Sequence, residues 1–273
     1  MNLNKFRFAY SRHGLIGFTN VLLGKIGFRF RLKTSLDKIV FQLGKNIEEL
    51  SKNKILEGIY KGTYIKINKN WSNHDTASKY LGVYELEVQK EILKIQSTKK
   101  LKKKYIINLG AGEGFHIVGA LKKKQFKYGV AYENDHLAIE LLKNNMAKNK
   151  LNNFKVFDKA KLNFLENDFF KKIKLSSCFF LIDIEGDEFK ILNRNNLNKL
   201  KKSILIIEIH DFYDSPITLI KNLKKIFKTQ ILTTENRDLS KFRYLDHVHD
   251  TEKWLLVNEG RPKRMEWIVC TPK

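Results

Sequence analysis

Two apolar runs in the second half of the chain end in ionisable residues. Leu181-Ile182 leads into Asp183-Ile184-Glu185-Gly186-Asp187-Glu188, and Ile206-Ile207 leads into Glu208-Ile209-His210. Carboxylates beside an imidazole can bind a cationic group, hold a divalent ion, or take a proton from a hydroxyl. His210 is the best-suited proton acceptor, since an unperturbed imidazole titrates near neutrality; Asp183 and Glu185 are read with it as the catalytic group. Glu185 and Glu188 equally suit a helix start, where acids complement the helix dipole. Further upstream, Asn108-Leu109-Gly110-Ala111-Gly112-Glu113-Gly114 sets three glycines behind an apolar run. Such a loop lets the backbone turn tightly and approach a ligand. Glu133 ends the next apolar run, where a carboxylate can bind both hydroxyls of a ribose. A glycine loop with an acid at the following strand end is a nucleoside-binding arrangement, and Asp158, just after the run at 154–157, is counted among its ligands.

These residues need a scaffold that gathers strand ends. From Tyr105 onward apolar strands are expected at 105–109, 128–132, 154–157, 178–184, 204–209, 230–233 and 267–271. Helical periodicity places helices at 115–121, 136–149, 188–192 and 217–227. Fully apolar strands separated by amphipathic helices predict a doubly wound α/β domain, with a mostly parallel, seven-stranded, Rossmann-like sheet covered on both faces. Such sheets bind ligands at the carboxyl ends of their strands. The runs 254–257 and 265–270 are expected to supply an antiparallel pair at the end of the sheet. His247, His249 and Asp250 lack metal-site spacing and read as a surface or substrate loop.

Upstream, 35–51 and 80–96 read as helices, and 58–68 as two short strands turning at Gly62. The lysine-rich stretch 97–104 reads as a connector, which divides an N-terminal α+β cap, 1–100, from the main domain, 101–273. The segment 14–28 reads as a helix docked on that domain or resting on a membrane surface. It is too short to span a bilayer, and no small-residue cleavage pattern follows it.

The third glycine falls at 114 and Phe115 follows, so the loop is G-x-G-x-G rather than the dinucleotide fingerprint, and it lacks the Gly-Lys-Ser/Thr ending of a P-loop. In this it is similar to the loop of class I S-adenosylmethionine methyltransferases. With the Asp183-x-Glu185-Gly186-x-Glu188 segment, the Glu208-x-His210 strand end, Tyr132-Glu133 and the Tyr84-Glu85 pair, the stretch 84–210 resembles the FkbM family of methyltransferases. It departs from that pattern at Asn108, where Asp is usual, and at Asn134, where Pro often follows the acid. The resemblance implies S-adenosylmethionine as cofactor, with Asn108, Gly110, Gly112, Gly114, Glu133, Asp158 and Asp183 as its binding residues. It also implies transfer of the methyl to a hydroxyl of a glycan, glycolipid or related small molecule, in the cytoplasm. Some sugar and catechol O-methyltransferases hold Mg2+ at such strand ends, and Asp183, Glu185, Asp187, Glu208, His210 and Asp211 form a comparable cluster; no metal is expected for the FkbM pattern. Arg261 is a candidate contact for an acidic acceptor.

Composition bounds the alternatives. The 273 residues carry 52 Lys plus Arg against 29 Asp plus Glu, a formal charge of +23. A basic surface suits polyanions. Only nine of these cations are arginines, the residues that read bases by forked hydrogen bonds, so nucleic acid is disfavoured as the partner. A nucleic-acid methyltransferase stays the second reading, without an Asn-Pro-Pro-Tyr loop or a Pro-Cys nucleophile, the prolines being Pro216, Pro262 and Pro272. A third is a non-catalytic glycan- or membrane-associated protein on the same fold. Cys178 and Cys270 sit in apolar runs and read as buried thiols.

Overall fold

In the computed structural model, the described residues are 15–16, 18–23, 35–68, 74–210, 215–240, 242–257, 259–261 and 264–273. Asp211, Pro262, the stretch 71–73 and most of the flanks of 14–28 lie outside them. Within 14–28, residues 15–16 and 18–23 are helical.

Seven strands form one sheet: β1 Tyr105–Leu109, β2 Tyr128–Tyr132, β3 Phe154–Phe157, β4 Cys178–Ile182, β5 Ile204–Glu208, β6 Phe227–Thr233 and β7 Glu266–Pro272. Their spatial order is β3-β2-β1-β4-β5-β7-β6. The first five are parallel; β7 lies antiparallel between β5 and β6. The sequence expectation of a mostly parallel, doubly wound sheet is met. The pairing expected for 254–257 is not. That stretch closes a helix, Asp250–Leu256, and the partners of β7 are β5 and β6.

Alternate side chains leave the sheet on opposite faces, and both faces are buried. Ile106, Phe179, Leu181 and Ile206 join one apolar cluster, which takes in Phe115 and Leu121 of α4 (Phe115–Lys122) and Leu142 of α5 (His136–Lys148). Ile107, Phe180, Ile182 and Ile207 join the other, with Leu197 and Leu223 from the helices Arg194–Leu200 and Ile217–Ile226. Cys178 and Cys270 are free and buried in the sheet, where burial pushes both thiols up to about 12.

The segment upstream of β1 packs into the first cluster. Its helices are α1 Ser35–Ser51, α2 Thr76–Leu81 and α3 Leu86–Ser97. The single helix expected at 80–96 is two. α2 stops at Gly82, whose N–H bonds back to Lys79 O, and α3 restarts after Glu85, whose own φ is 42°. Apolar spacing runs through this break without interruption, because Tyr84, half-buried, also packs against the first cluster. The two strands expected at 58–68 are reduced to one bridge, Lys54 with Tyr64. The outer edge of 64–66 is paired instead with side-chain amides of α5 and its C-cap. Tyr64 N–H and C=O bond Asn149, at 3.0 and 2.7 Å, and Lys66 N–H and C=O bond Asn145, at 2.8 and 3.0 Å. Both asparagines are buried and satisfy backbone groups that a partner strand would otherwise serve.

Candidate active site

The carboxyl ends of β1, β2, β4 and β5 open into one cavity of about 590 Å³, within the roughly 300–1,000 Å³ range of small-ligand pockets. Its walls carry most of the residues singled out from the sequence. Gly110, Gly112, Glu133, Asn108, Asp183, Glu185 and His210 all line it. Gly114 and Asp158 do not. Gly114 is the N-cap of α4 and packs against Leu142 and Val118, while Asp158 is exposed and its neighbours Lys159 and Ala160 form the wall.

The glycines divide their work. A Cβ on Gly110 would stand 1.6 Å from Asp183 O, so this glycine lets β1 and the loop after β4 touch. At Gly112 a Cβ would meet nothing within 4 Å, yet the residue lines the cavity at φ +53°. That open cradle is what a ligand approaching the backbone requires. Glu133 pins the loop: one oxygen accepts from Gly112 N–H at 2.7 Å, the other from Asn134 and Asp135 N–H at 2.7 and 2.9 Å. Asn108 donates to Leu181 O at 3.4 Å, tying β1 to β4. Tyr132 lines the same end with a buried hydroxyl that has no protein partner. The loop also bonds to the upstream segment. Lys79, buried, pairs with Glu113 at 2.6 Å and Asp75 at 2.8 Å, and Asn145 donates to Glu113 O at 2.9 Å.

At the ends of β4 and β5 the acids surround an imidazole. His210 Nδ1 lies 3.0 Å from Glu188 Oε1, and the His210 backbone N–H donates to the same oxygen at 3.2 Å. An ionised carboxylate only accepts, so Nδ1 carries a hydrogen and Nε2 points the other way. Nε2 lies 3.5 Å from Asp183, 3.7 Å from Glu185 and 3.8 Å from Glu208. Burial alone would lower the His210 pKa; the Glu188 hydrogen bond and the charges of Glu208, Glu188 and Glu185 outweigh it and raise it. Burial, reinforced by Glu208, Glu85 and Glu185, pushes the Asp183 carboxyl well above the usual carboxylate range. Both groups therefore hold their protons to higher pH than they would free in water. Glu188, read from sequence as a helix-start acid, serves both purposes: its other oxygen accepts from Gly186 N–H at 2.8 Å.

The far wall is not legible as a site from the sequence. Arg261 donates to Glu208 at 2.6 Å, to Glu259 at 2.9 Å, and to Glu85. It is thus committed to the chain's own acids, against the expectation of an acidic acceptor. Glu208 also accepts from Trp267 Nε1 at 3.1 Å. Burial pushes Glu208 up to about 7 even though Arg261 works against it. Burial would raise Glu85 as well, but Arg261 and His116, whose Nε2 lies 2.8 Å away, hold it down at about 2. A second buried arginine, Arg237, bonds Glu87 and Glu259. The sequence signals for this wall are the Tyr84-Glu85 pair, Glu208 and Arg261, and none of them discloses the clasp between them.

Two overlapping groups, Asp183–Glu185–His210 and Glu85–Asp183–Glu208, offer ligand atoms within 4.8 Å of one another. Arg261 occupies two acids of the second. The first retains the chemistry of either a divalent-ion site or a proton relay. His247, His249 and Asp250 lie outside the cavity wall.

A sheet with this strand order, a glycine loop after β1 and an acid closing β2 define the class I methyltransferase fold. Among solved structures the chain is similar to the METTL16 MTase domain, with a TM-score of 0.54, 14% identity, and 84% of this chain and 80% of that one covered. It is also similar to a human methyltransferase 10 domain containing protein, with a TM-score of 0.54, 13% identity, and 85% and 97% covered. At these identities the likeness is one of fold. No family model and no curated sequence matches the chain. Among the described residues no helix is long and apolar enough to cross a membrane.

Proposed function

We propose that the chain is an S-adenosylmethionine-dependent methyltransferase acting on a hydroxyl of a glycan, glycolipid or related small molecule. The observation that carries this reading is that the open glycine cradle with Glu133 and the Asp183–His210 pair line one cavity. When bound, the cofactor supplies an electrophilic methyl group on a sulfonium. Gly110, Gly112 and Asn108 would hold its amino-acid end, and Glu133 its ribose. Asp183, on the wall between loop and imidazole, would orient the acceptor. His210 Nε2 would accept the hydroxyl proton as the carbon–oxygen bond forms, while Glu188 fixes the ring and stabilises the imidazolium. This chemistry routes no step through a metal. The FkbM resemblance rests on the motifs alone and supplies the acceptor class.

The walls favour an uncharged acceptor at the reacting point. Lys79, Lys159 and Arg261 are each paired with the chain's own carboxylates, so that among the described residues of the wall each lysine and arginine already has an acid of the chain. A nucleic-acid acceptor is the second reading, supported by the +23 excess. On that reading the phosphates would ride on the lysine coat outside while one base enters the cavity. Transfer of labelled methyl from S-adenosylmethionine to total RNA, to polysaccharide and to lipid extracts separates them. Label in a base-stable, nuclease-resistant fraction supports the hydroxyl reading; label confined to RNA overturns it in favour of the second.

A further inference from the structure

Neighbouring antiparallel strands need only a turn of about two residues between them, yet β6 and β7 are joined by the whole of 234–265. Phe242, Leu245 and Leu256 anchor this connection in the first apolar cluster. It supplies both arginines of the far wall: Arg237, bonded to Glu87 and Glu259, and Arg261, bonded to Glu85 and Glu208. It also builds a feature that the methyl-transfer reading leaves unused. Beside the cavity lies a second, open pocket of about 200 Å³, whose wall includes Asn236, Arg237, Trp254 and Val257 and shares Glu259 and Arg261 with the cavity. Trp254 is 63% exposed, more than any other aromatic side chain among the described residues. Its helix, Asp250–Leu256, is fixed by the buried Leu256, so the indole is held over the pocket by an anchored element.

We infer that this pocket is a second acceptor subsite, which takes the neutral sugar unit next to the one that is methylated. The inference rests on the hydroxyl-acceptor reading. The C–H face of the sugar stacks on the Trp254 indole, a broad apolar surface. Glu235 and Asn236, both exposed on the same connection, offer carboxylate and amide groups to its hydroxyls. The pocket is poorly suited to a nucleotide. Arg237 and Arg261 are committed to acids of the chain, and Glu235 and Glu259 put two carboxylates on the wall, which repel a phosphate. The step between the pockets is short. Arg261, common to both, donates to Glu208 at 2.6 Å, and Glu208 lies 3.8 Å from His210 Nε2.

An array of neutral oligosaccharides built from hexoses, deoxyhexoses and N-acetylhexosamines, probed with the labelled full-length protein, tests this. The tightest-bound trisaccharide and its monosaccharide are then titrated into wild type, Trp254→Ala and Trp254→Phe. In wild type the trisaccharide is expected to bind at least about tenfold more tightly than the monosaccharide. Trp254→Ala should weaken the trisaccharide by at least about fivefold, with Trp254→Phe recovering most of the loss. Trp254 is exposed, so both variants should keep the wild-type unfolding midpoint and the same affinity for S-adenosylhomocysteine. No saccharide bound, a trisaccharide bound no more tightly than its monosaccharide, or an unchanged affinity in Trp254→Ala would each overturn the subsite. Polyuridylate binding that Trp254→Ala abolishes, with saccharides left unbound, would overturn it in favour of a stacked base. Saccharide binding that depends on Trp254, without transfer of labelled methyl, would keep the subsite and remove the methyl-transfer reading.

Discussion

The two ends of the cavity are built by different means. At the loop end the separations are shorter: Gly112 N–H meets Glu133 across 21 residues, Glu113 meets Asn145 and Lys79 across 32 and 34, and Asn108 meets Leu181 O across 73. At the far wall, Glu85 meets Arg261 across 176 residues, its N–H meets Glu259 across 174, and Glu87 meets Arg237 across 150. The cofactor end is the more local of the two, gathered around the turn after β1 by Glu133, Asn145 and Lys79. The acceptor end is a closure between the upstream segment and the last strands, and it exists only once the whole fold is formed. On the proposed function, cofactor identity resides in the first and acceptor choice in the second.

The sharpest way to break this contrast is to add a methyl group at each of two glycines. Gly110→Ala drives a Cβ into Asp183 O and is expected to destabilise the fold by at least about 2 kcal/mol or to prevent folding, read from chemical denaturation. Gly112→Ala, with open space at its Cβ, should cost only about 1 kcal/mol of left-handed strain while abolishing cofactor binding. Equal losses of stability in the two variants would contradict the separate roles.

Next in size is Arg261→Ala. It leaves Glu85, Glu208 and Glu259 without their shared cation, and a loss on the order of 3 kcal/mol is expected. The same network predicts the acid limb of stability. Glu85 has a folded pKa of about 2 against 4.5 unfolded, so its contribution is present above pH 4.5 and disappears as pH falls toward 2. In Arg261→Ala this limb should flatten. An unchanged limb would mean that the clasp is not what holds Glu85 ionised.

His210→Ala should lower turnover by roughly a hundredfold or more while cofactor affinity stays within a factor of two or three. Since only the neutral imidazole accepts a proton, and the His210 pKa is raised, wild-type turnover is expected to climb with pH through a value above 6.5. Glu188→Gln removes one carboxylate that raises it, so this limb should move to lower pH as turnover falls. A limb that stays in place would reject Glu188 as the positioning residue. The smallest effect expected is that of EDTA, which should leave turnover unchanged; abolition by EDTA and recovery with Mg2+ would assign Asp183, Glu185 and His210 to a metal instead.

The same split explains what is legible in the sequence. Strands β1 to β5 are legible because each is a short, apolar-rich run, and the glycine loop and Glu133 because their spacing is local. The break of the expected 80–96 helix is not, since Leu81, Tyr84 and Leu86 keep a helical rhythm across Gly82. Nor is the fate of 58–68, whose edge is satisfied by Asn145 and Asn149, side chains that no local pattern marks as strand partners. Arg261 stands out in the sequence, but its role does not. Two of the three acids it serves, Glu85 and Glu208, lie at distant positions, and only their convergence shows that the arginine closes the fold rather than meeting an acceptor. Glu188 has the local pattern of a helix-start acid and fills that place, but its hydrogen bond to His210 requires β4 and β5 to be neighbours.

The central claim, that the glycine cradle and Glu133 hold S-adenosylmethionine, is tested most directly by isothermal titration of the wild-type chain and Glu133→Ala with S-adenosylhomocysteine. Saturable one-to-one binding that weakens by at least about tenfold in Glu133→Ala is the predicted result, as expected for losing charge-assisted hydrogen bonds worth roughly 1.5–3 kcal/mol. No binding to the wild-type chain, or equal binding to both, would contradict the account.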